Sequence, residues 1–177
     1  MKIVGIGLNK TGTTTLGACF QHWGFKHTSN NRDAVELWHN GNVQCLLENW
    51  VSQHDTFEDW PWPLIYQEID KNYPGSKFIL TTRKNPRIWF ESLCKHAKRT
   101  GPTRTRLWVY GYKDPWENKS HHIRFYKHHL KITREYFKKR QNDFLEVCWE
   151  KGDQWEKLAN FLNLPLPNIP FPHENKS

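Results

Sequence analysis

A chain of 177 residues has the length of one modest domain, with residues 100–118 as its only candidate lid. Lys and Arg number 26 against 18 Asp and Glu, a formal charge of +8 with the ten His neutral, and ten Trp, ten Phe and six Tyr bring the aromatic share to 15%. A mean hydropathy of −0.86, with no apolar run of about 18 residues, excludes a membrane-spanning helix, and the aromatic content argues against disorder throughout. What remains is a soluble basic domain with an anionic partner: nucleic acid, a nucleotide, or a sulfated or phosphorylated small molecule.

Along the chain, Lys2 to Gly7 reads as a short buried parallel strand, β-branched and ended by glycine. A loop from Leu8 to Gly12 leads into a helix over Thr13 to Trp23, with Leu16, Cys19, Phe20 and Trp23 on one face. A second helix is expected over Asp33 to His39, stopped by Asn40-Gly41, and Gln44 to Asn49 stays ambiguous. Trp60-Pro61-Trp62-Pro63 is a rigid break before a helix from Leu64 to Tyr73. Lys77 to Thr82 is the clearest strand, and Pro86 starts a helix running to about Lys98. A long polar helix follows over Lys119 to Arg140, then a strand over Phe144 to Trp149, a helix over Gln154 to Leu162 and an extended proline-rich tail. Strand and helix in alternation predict an α/β fold, a three-layer sandwich around a mostly parallel sheet.

Cys19, Cys45, Cys94 and Cys148 lie far apart with no C-x-x-C, which suits a reducing compartment. The amino terminus lacks the apolar stretch of a signal peptide, so a cytoplasmic location is expected.

The richest segment is Gly5-Ile6-Gly7-Leu8-Asn9-Lys10-Thr11-Gly12-Thr13-Thr14-Thr15, which joins a strand to a helix. Backbone N–H groups in such a loop converge on an anion, the helix amino terminus adds partial positive charge, Lys10 a full one, and the threonines hydroxyl donors. It is not a Walker A loop, because lysine precedes Gly12 by two residues instead of following a glycine directly. This argues against an enzyme acting on a nucleoside triphosphate with Mg²⁺. The run from Leu8 to Leu16 resembles the 5′-phosphosulfate loop of sulfotransferases that use 3′-phosphoadenosine 5′-phosphosulfate (PAPS). Asparagine stands at position 9 where that family more often has proline.

The resemblance implies a P-loop NTPase-like fold and a donor site made by Asn9, Lys10, Thr11, Gly12, Thr13, Thr14 and Thr15. It implies a second motif, an arginine and a serine eight residues later, that binds the 3′-phosphate. The chain has Arg83-Lys84-Asn85-Pro86 and then Ser92, nine residues after Arg83 and eight after Lys84. Either basic residue can serve; the bidentate guanidinium of Arg83 suits a phosphate better, with Lys84 assisting. The segment Phe144 to Glu150 and the helix after it are similar to the family's late strand and helix. PAPS, with adenosine 3′,5′-bisphosphate as product and no metal, is the implied co-substrate.

Sulfuryl transfer needs positive charge on the leaving phosphate, which Lys10 would supply, and a base on the acceptor. Asp59, just before Trp60-Pro61, stands where many family members carry a histidine, and Glu58, His54 and Glu48 are the other candidates. His121, His122, His128 and His129 lack metal-ligand spacing and are expected to be solvated or to face the acceptor. Lys95, Lys98, Arg99, Arg104 and Arg106 form a basic cluster, and Trp60, Trp62, Trp108, Tyr110 and Tyr112 are aromatics expected near the acceptor, adenine or a sugar. The expected partner is a small-molecule or glycan acceptor. Competing readings are a nucleotide or small-molecule kinase, which lacks its lysine–Ser/Thr pair, and a nucleic-acid-binding module, which no motif supports.

Overall fold

The computed structural model describes residues 1–174. Five strands, β1 (Ile3–Gly5), β2 (His27–Thr28), β3 (Thr56–Phe57), β4 (Lys77–Thr81) and β5 (Phe144–Val147), form one sheet in the order β2-β3-β1-β4-β5. All four pairings are parallel, so every connection crosses over a face of the sheet. Strand alternation divides the side chains: Val4, Phe78 and Leu80 enter one core, and Ile3, Ile79 and Val147 enter the other.

Helices α1 (Thr13–His22) and α8 (Trp155–Leu162) cover one face through Leu16, Cys19, Phe20, Trp155, Leu158 and Leu162. The other face packs against α2 (Arg32–His39), α3 (Val43–Leu46) and α4 (Tyr66–Asn72), together with Phe137. α3 runs on as a π-helical turn over Leu47–Val51, which resolves the ambiguous segment as helical. Helices α5 (Pro86–Thr100), α6 (Arg104–Tyr110) and α7 (Lys119–Tyr136) enclose a third core of Trp89, Leu93, Tyr110 and Tyr126 with Leu8 and Trp60. The three-layer α/β architecture expected from the sequence is present. No helix among the described residues is long and apolar enough to cross a membrane.

Three elements depart from the sequence reading. Strands β2 and β3 span two residues each, too short for any periodicity, and exist because β1 offers β3 a partner and β3 offers one to β2. The segment expected to form a loop or lid instead forms α6, capped by the Thr103 hydroxyl, which accepts from Arg106 N–H at 3.2 Å. Arg106 is buried; it donates to the Lys113 carbonyl at 2.7 Å and the Thr100 hydroxyl at 3.0 Å, so this member of the basic cluster holds structure together.

Two of the four helix histidines also turn inward. His122 and His129 share the buried face of α7, and His129 Nε2–H donates to the Ile6 carbonyl at 2.6 Å at the end of the central strand. Burial holds the His129 imidazole down to about 4, so it works as a neutral donor.

Candidate active site

The central strand β1 ends at Gly5, and the chain continues through Ile6-Gly7 and turns above the sheet into α1. Gly7 has no room for a side chain: an added Cβ would lie 2.0 Å from the Thr81 hydroxyl oxygen and 2.4 Å from the Thr81 carbonyl oxygen. Thr11 is turned into that contact. Its hydroxyl donates to the Leu8 carbonyl at 2.6 Å and lies 2.6 Å from the Thr81 hydroxyl, tying the loop to β4. Asn9 is clamped from both ends, with its carbonyl accepting from Trp89 Nε1–H at 2.9 Å and its Oδ1 from the Tyr110 hydroxyl at 2.7 Å.

Lys10 and Gly12 both adopt positive φ, 68° and 90°. This left-handed backbone lifts Lys10 and turns the chain so that α1 begins without a side-chain cap and without an acid in its first turn. The first N–H groups of α1 therefore lack intrahelical acceptors and face the cleft, where an anion would satisfy them. Trp149 closes the far side: its indole N–H donates to the Gly12 carbonyl at 3.0 Å, and its Cδ1 would be 2.3 Å from a Cβ at Gly12. Phe171 from the tail packs on that indole at 5.1 Å between ring centres.

A cleft opens over this loop. It gathers Asn9, Lys10, Gly12, Thr13 and Thr14 with Asp59, Arg83 and Ser92. Of the remaining loop threonines, Thr11 faces the sheet, and the Thr15 hydroxyl accepts from the Glu174 N–H at 3.3 Å. Lys10 is surrounded by charge: burial lowers its ammonium below the ordinary value, Asp59 opposes this, and Arg99 and Arg83 add to it.

Asp59 follows β3 in a left-handed conformation, φ 63°, that turns its side chain to the cleft. Its Oδ1 accepts from Trp60 N–H at 2.9 Å. The carboxyl is pushed up to about 7, first by burial and then by the neighbouring Glu58 carboxylate, against the opposing Trp60 N–H, Lys10 and Thr13 hydroxyl. The other candidate bases lie elsewhere. Glu58 is buried behind the strand, His54 Nδ1 pairs with the Trp50 carbonyl at 2.9 Å, and Glu48 is bound by Gln44 on an exposed helix surface.

At the end of β4, Asn85 caps α5 by accepting from Ile88 N–H at 3.0 Å, with Pro86 at the first helical position. This sends Arg83 over the loop, where its NH1 donates to the Lys10 carbonyl at 3.3 Å. Glu150 holds the turn with both carboxylate oxygens, one on Arg83 NH2 at 2.8 Å and one on Lys84 N–H at 2.8 Å. Arg83 Nε is buried with no partner among the described residues. Arg83 and Ser92 share the cleft, whereas Lys84 lines a neighbouring one with Lys127, Lys131 and Lys151.

Sequence reasoning missed several cleft residues. His96 lies one turn beyond Ser92 on the same face of α5, a spacing that could have revealed it once Ser92 was chosen; Arg99, already singled out in the basic cluster, follows one turn further on. Burial, reinforced by Lys10, Arg99 and Arg106, lowers His96 to about 4, so it meets a ligand as a neutral imidazole. Glu150 and Glu174 arrive only through the parallel pairing of β4 with β5 and the docking of the tail, and no local pattern announces them. The expected aromatic wall is corrected. Trp60 and Trp62 are core residues, Trp62 donating to the Ser29 carbonyl at 3.0 Å, and Trp108 stacks on His39 at 4.3 Å. Tyr110 is buried beneath Asn9, and the Tyr112 hydroxyl accepts from Asn118.

A strand, a loop carrying a lysine, an uncapped helix start carrying hydroxyls, and an arginine–serine pair from the next strand end and helix meet at one cleft. The chain belongs to the sulfotransferase domain family, whose model matches residues 2–114 and 102–177. It is similar to Ava biosynthesis cluster protein M of Aspergillus versicolor, 25% identical over 214 residues that cover 98% of this chain and 80% of that protein. Among solved structures it is similar to deoxyadenosine kinase from M. mycoides with bound dATP, at 13% identity and a TM-score of 0.45, covering 92% of this chain and 98% of that one.

Proposed function

We propose that this chain transfers a sulfuryl group from PAPS to a hydroxyl or amine of a small-molecule or glycan acceptor. The observation that carries the reading is the convergence in one cleft of Lys10, the uncapped start of α1, the Arg83–Ser92 pair and Asp59. The donor set fits a nucleotide with phosphates at both ends: N–H groups and a lysine for one, a guanidinium with an unpartnered buried Nε and a hydroxyl for the other.

PAPS, when bound, supplies the sulfuryl group and a bisphosphate leaving group. Lys10 and the α1 amino terminus offset the charge that develops as the sulfur–oxygen bond to the 5′-phosphate breaks. Thr13 and Thr14 orient that end through their hydroxyls, and Arg83 with Ser92 holds the 3′-phosphate. Asp59 accepts the acceptor's proton as the new bond to sulfur forms, and its raised value brings it near the optimum for a base at neutral pH.

Calorimetric titration tests the donor assignment. Adenosine 3′,5′-bisphosphate is expected to bind without metal, and ATP with Mg²⁺ much more weakly; the reverse order would return the kinase reading. In the same titration Trp149→Phe, which keeps a ring but loses the donor to Gly12, is expected to weaken bisphosphate binding about fivefold.

Asp59→Asn links activity to stability. Transfer is expected to rise with pH through about 7 in the wild type and to be lost in the variant. The folded-state value lies above the unfolded value of about 4. Ionising Asp59 therefore costs stability as pH climbs from about 4 to about 7. The variant, which keeps the acceptor for Trp60 N–H, is expected to melt roughly 10 °C higher than wild type at pH 8 and equally at pH 4. Calorimetric melting at the two pH values checks the sign.

A further inference from the structure

A second cleft lies beside the donor cleft, across the turn that carries Arg83, which lines both. Its cations come from three elements. Lys84 follows the end of β4 and Lys151 the end of β5, two strands joined by the parallel pairing of Thr81 with Val147. Lys127 and Lys131 stand four residues apart on α7, so their side chains share one face of the helix. The Arg134 guanidinium donates to both oxygens of Glu146, at 2.8 Å and 2.7 Å, and this fork fastens α7 to β5 with the two lysines at the cleft.

Elsewhere on the surface basic side chains sit beside acids one helical turn away, Arg87 with Glu91 at 2.8 Å and Lys157 with Asp153 at 3.0 Å. Here the acids on the contributing elements are all engaged by other groups. Glu146 is held by Arg134, and Glu150 places one oxygen on Arg83 and the other on the Lys84 N–H. Glu135, one turn beyond Lys131, pairs with Lys138 at 3.5 Å. Asp153 accepts from the Cys148 N–H at 2.7 Å and from Lys157. Among the described residues the ammonium groups of Lys84, Lys127, Lys131 and Lys151 are therefore left without an ion pair. Four like charges gathered at one cleft repel one another, and the like-charged pair on α7 works against its helix. A multivalent anion would reverse both effects.

We propose that this cleft is a second binding site, for a compact anion bearing two or more phosphate or sulfate groups. Ammonium groups act on such an anion as point charges, so lysines reaching in from separate elements can each meet a different one of its oxygens. Convergence on one cleft favours a small ligand over nucleic acid, whose backbone is tracked by an extended basic groove with aromatic faces for the bases. Among the described lining residues the one aromatic ring, Tyr126, is buried beneath the cleft, where its hydroxyl accepts from the Arg83 N–H at 3.1 Å. Neither Lys10 nor Asp59 lines this cleft, so anion binding here is independent of the transfer chemistry.

The test is calorimetric titration with inorganic tripolyphosphate and, in parallel, with sucrose octasulfate, both without divalent metal; the tighter of the two identifies the preferred group. The double variant Lys127→Gln, Lys131→Gln is expected to weaken binding of that probe about tenfold or more. Lys26→Gln with Lys71→Gln removes the same charge from exposed lysines that line neither cleft, and is expected to stay within about twofold of wild type. Equal affinity in the two double variants, or binding of neither probe to wild type, overturns the proposal. So does a Lys10→Met protein that loses the probe as fully as the α7 variant, because the anion then sits in the donor cleft. A short DNA duplex that binds more tightly than either probe, through the same two lysines, overturns it in favour of a nucleic-acid surface. Adenosine 3′,5′-bisphosphate is expected to bind the α7 variant within about twofold of wild type. A wild type that binds tripolyphosphate but no bisphosphate removes the transfer reading and supports this site.

Discussion

Lys10→Met is expected to lower sulfuryl transfer about 10²- to 10³-fold, and to weaken adenosine 3′,5′-bisphosphate binding by a smaller factor of about ten. The asymmetry follows from where charge appears. In the bound donor the 5′-phosphate shares its charge with the sulfuryl group; as the bond between them breaks, that charge concentrates on the oxygen facing Lys10 and the start of α1. The helix N–H groups remain in the variant, so ground-state binding is only partly lost. Lys10→Arg keeps the charge, but its planar fork must project from a backbone at φ 68° into a space already shared with Arg83 and Arg99. Partial rescue of binding with little rescue of rate is the expected pattern. Calorimetry with the bisphosphate and single-turnover transfer from labelled PAPS measure the two effects separately. Equal losses in both would make Lys10 a binding residue only.

Gly7→Ala is expected to destabilise the fold by about 3 kcal/mol, a fall in melting temperature of roughly 6–12 °C. The added methyl would lie 2.4 Å from the Thr81 carbonyl oxygen, a backbone atom of the neighbouring strand that cannot swing aside. It would also press on the Thr11 hydroxyl at 2.7 Å and so disturb the bond that fastens the loop to β4. Gly75→Ala serves as the control. Gly75 has φ 77° with nothing within 4 Å of the added carbon, so only backbone strain of about 1 kcal/mol is expected. Urea unfolding of both variants distinguishes steric intrusion from loss of glycine's freedom. A Gly7 variant no worse than the Gly75 variant would show that β1 and β4 can part at the loop.

Much of the framework was legible in the residues. Lys77 to Thr82 and Phe144 onward read as strands because runs of apolar residues between polar turns leave few alternatives, and β4 and β5 lie there. Asn85-Pro86 announced the start of α5 by local chemistry, a side-chain cap and a preset φ. The two-residue strands were invisible, since pairing energy that creates them comes from strands more than twenty residues away in sequence. The tryptophans misled for a related reason: Trp60-Pro61-Trp62-Pro63 looks like an exposed rigid turn, yet the space beneath it is filled by their own indoles.

By itself the sequence determined the strand-to-helix turn from Gly5 to Thr15, because glycines, a lysine and hydroxyls there act through backbone geometry within a dozen residues. It also determined that a second basic motif stands at another strand end. It left open which of Arg83 and Lys84 faces the loop, and that choice depended on where β4 ends and on Glu150 from β5. The opposite aims of Glu58 and Asp59, and the arrival of His96, Arg99 and Glu174 at one cleft, were likewise decided only in three dimensions. The physical reason is range. Turn and cap chemistry is encoded by neighbours along the chain, whereas burial and field at a carboxylate are set by whatever elements the fold packs around it.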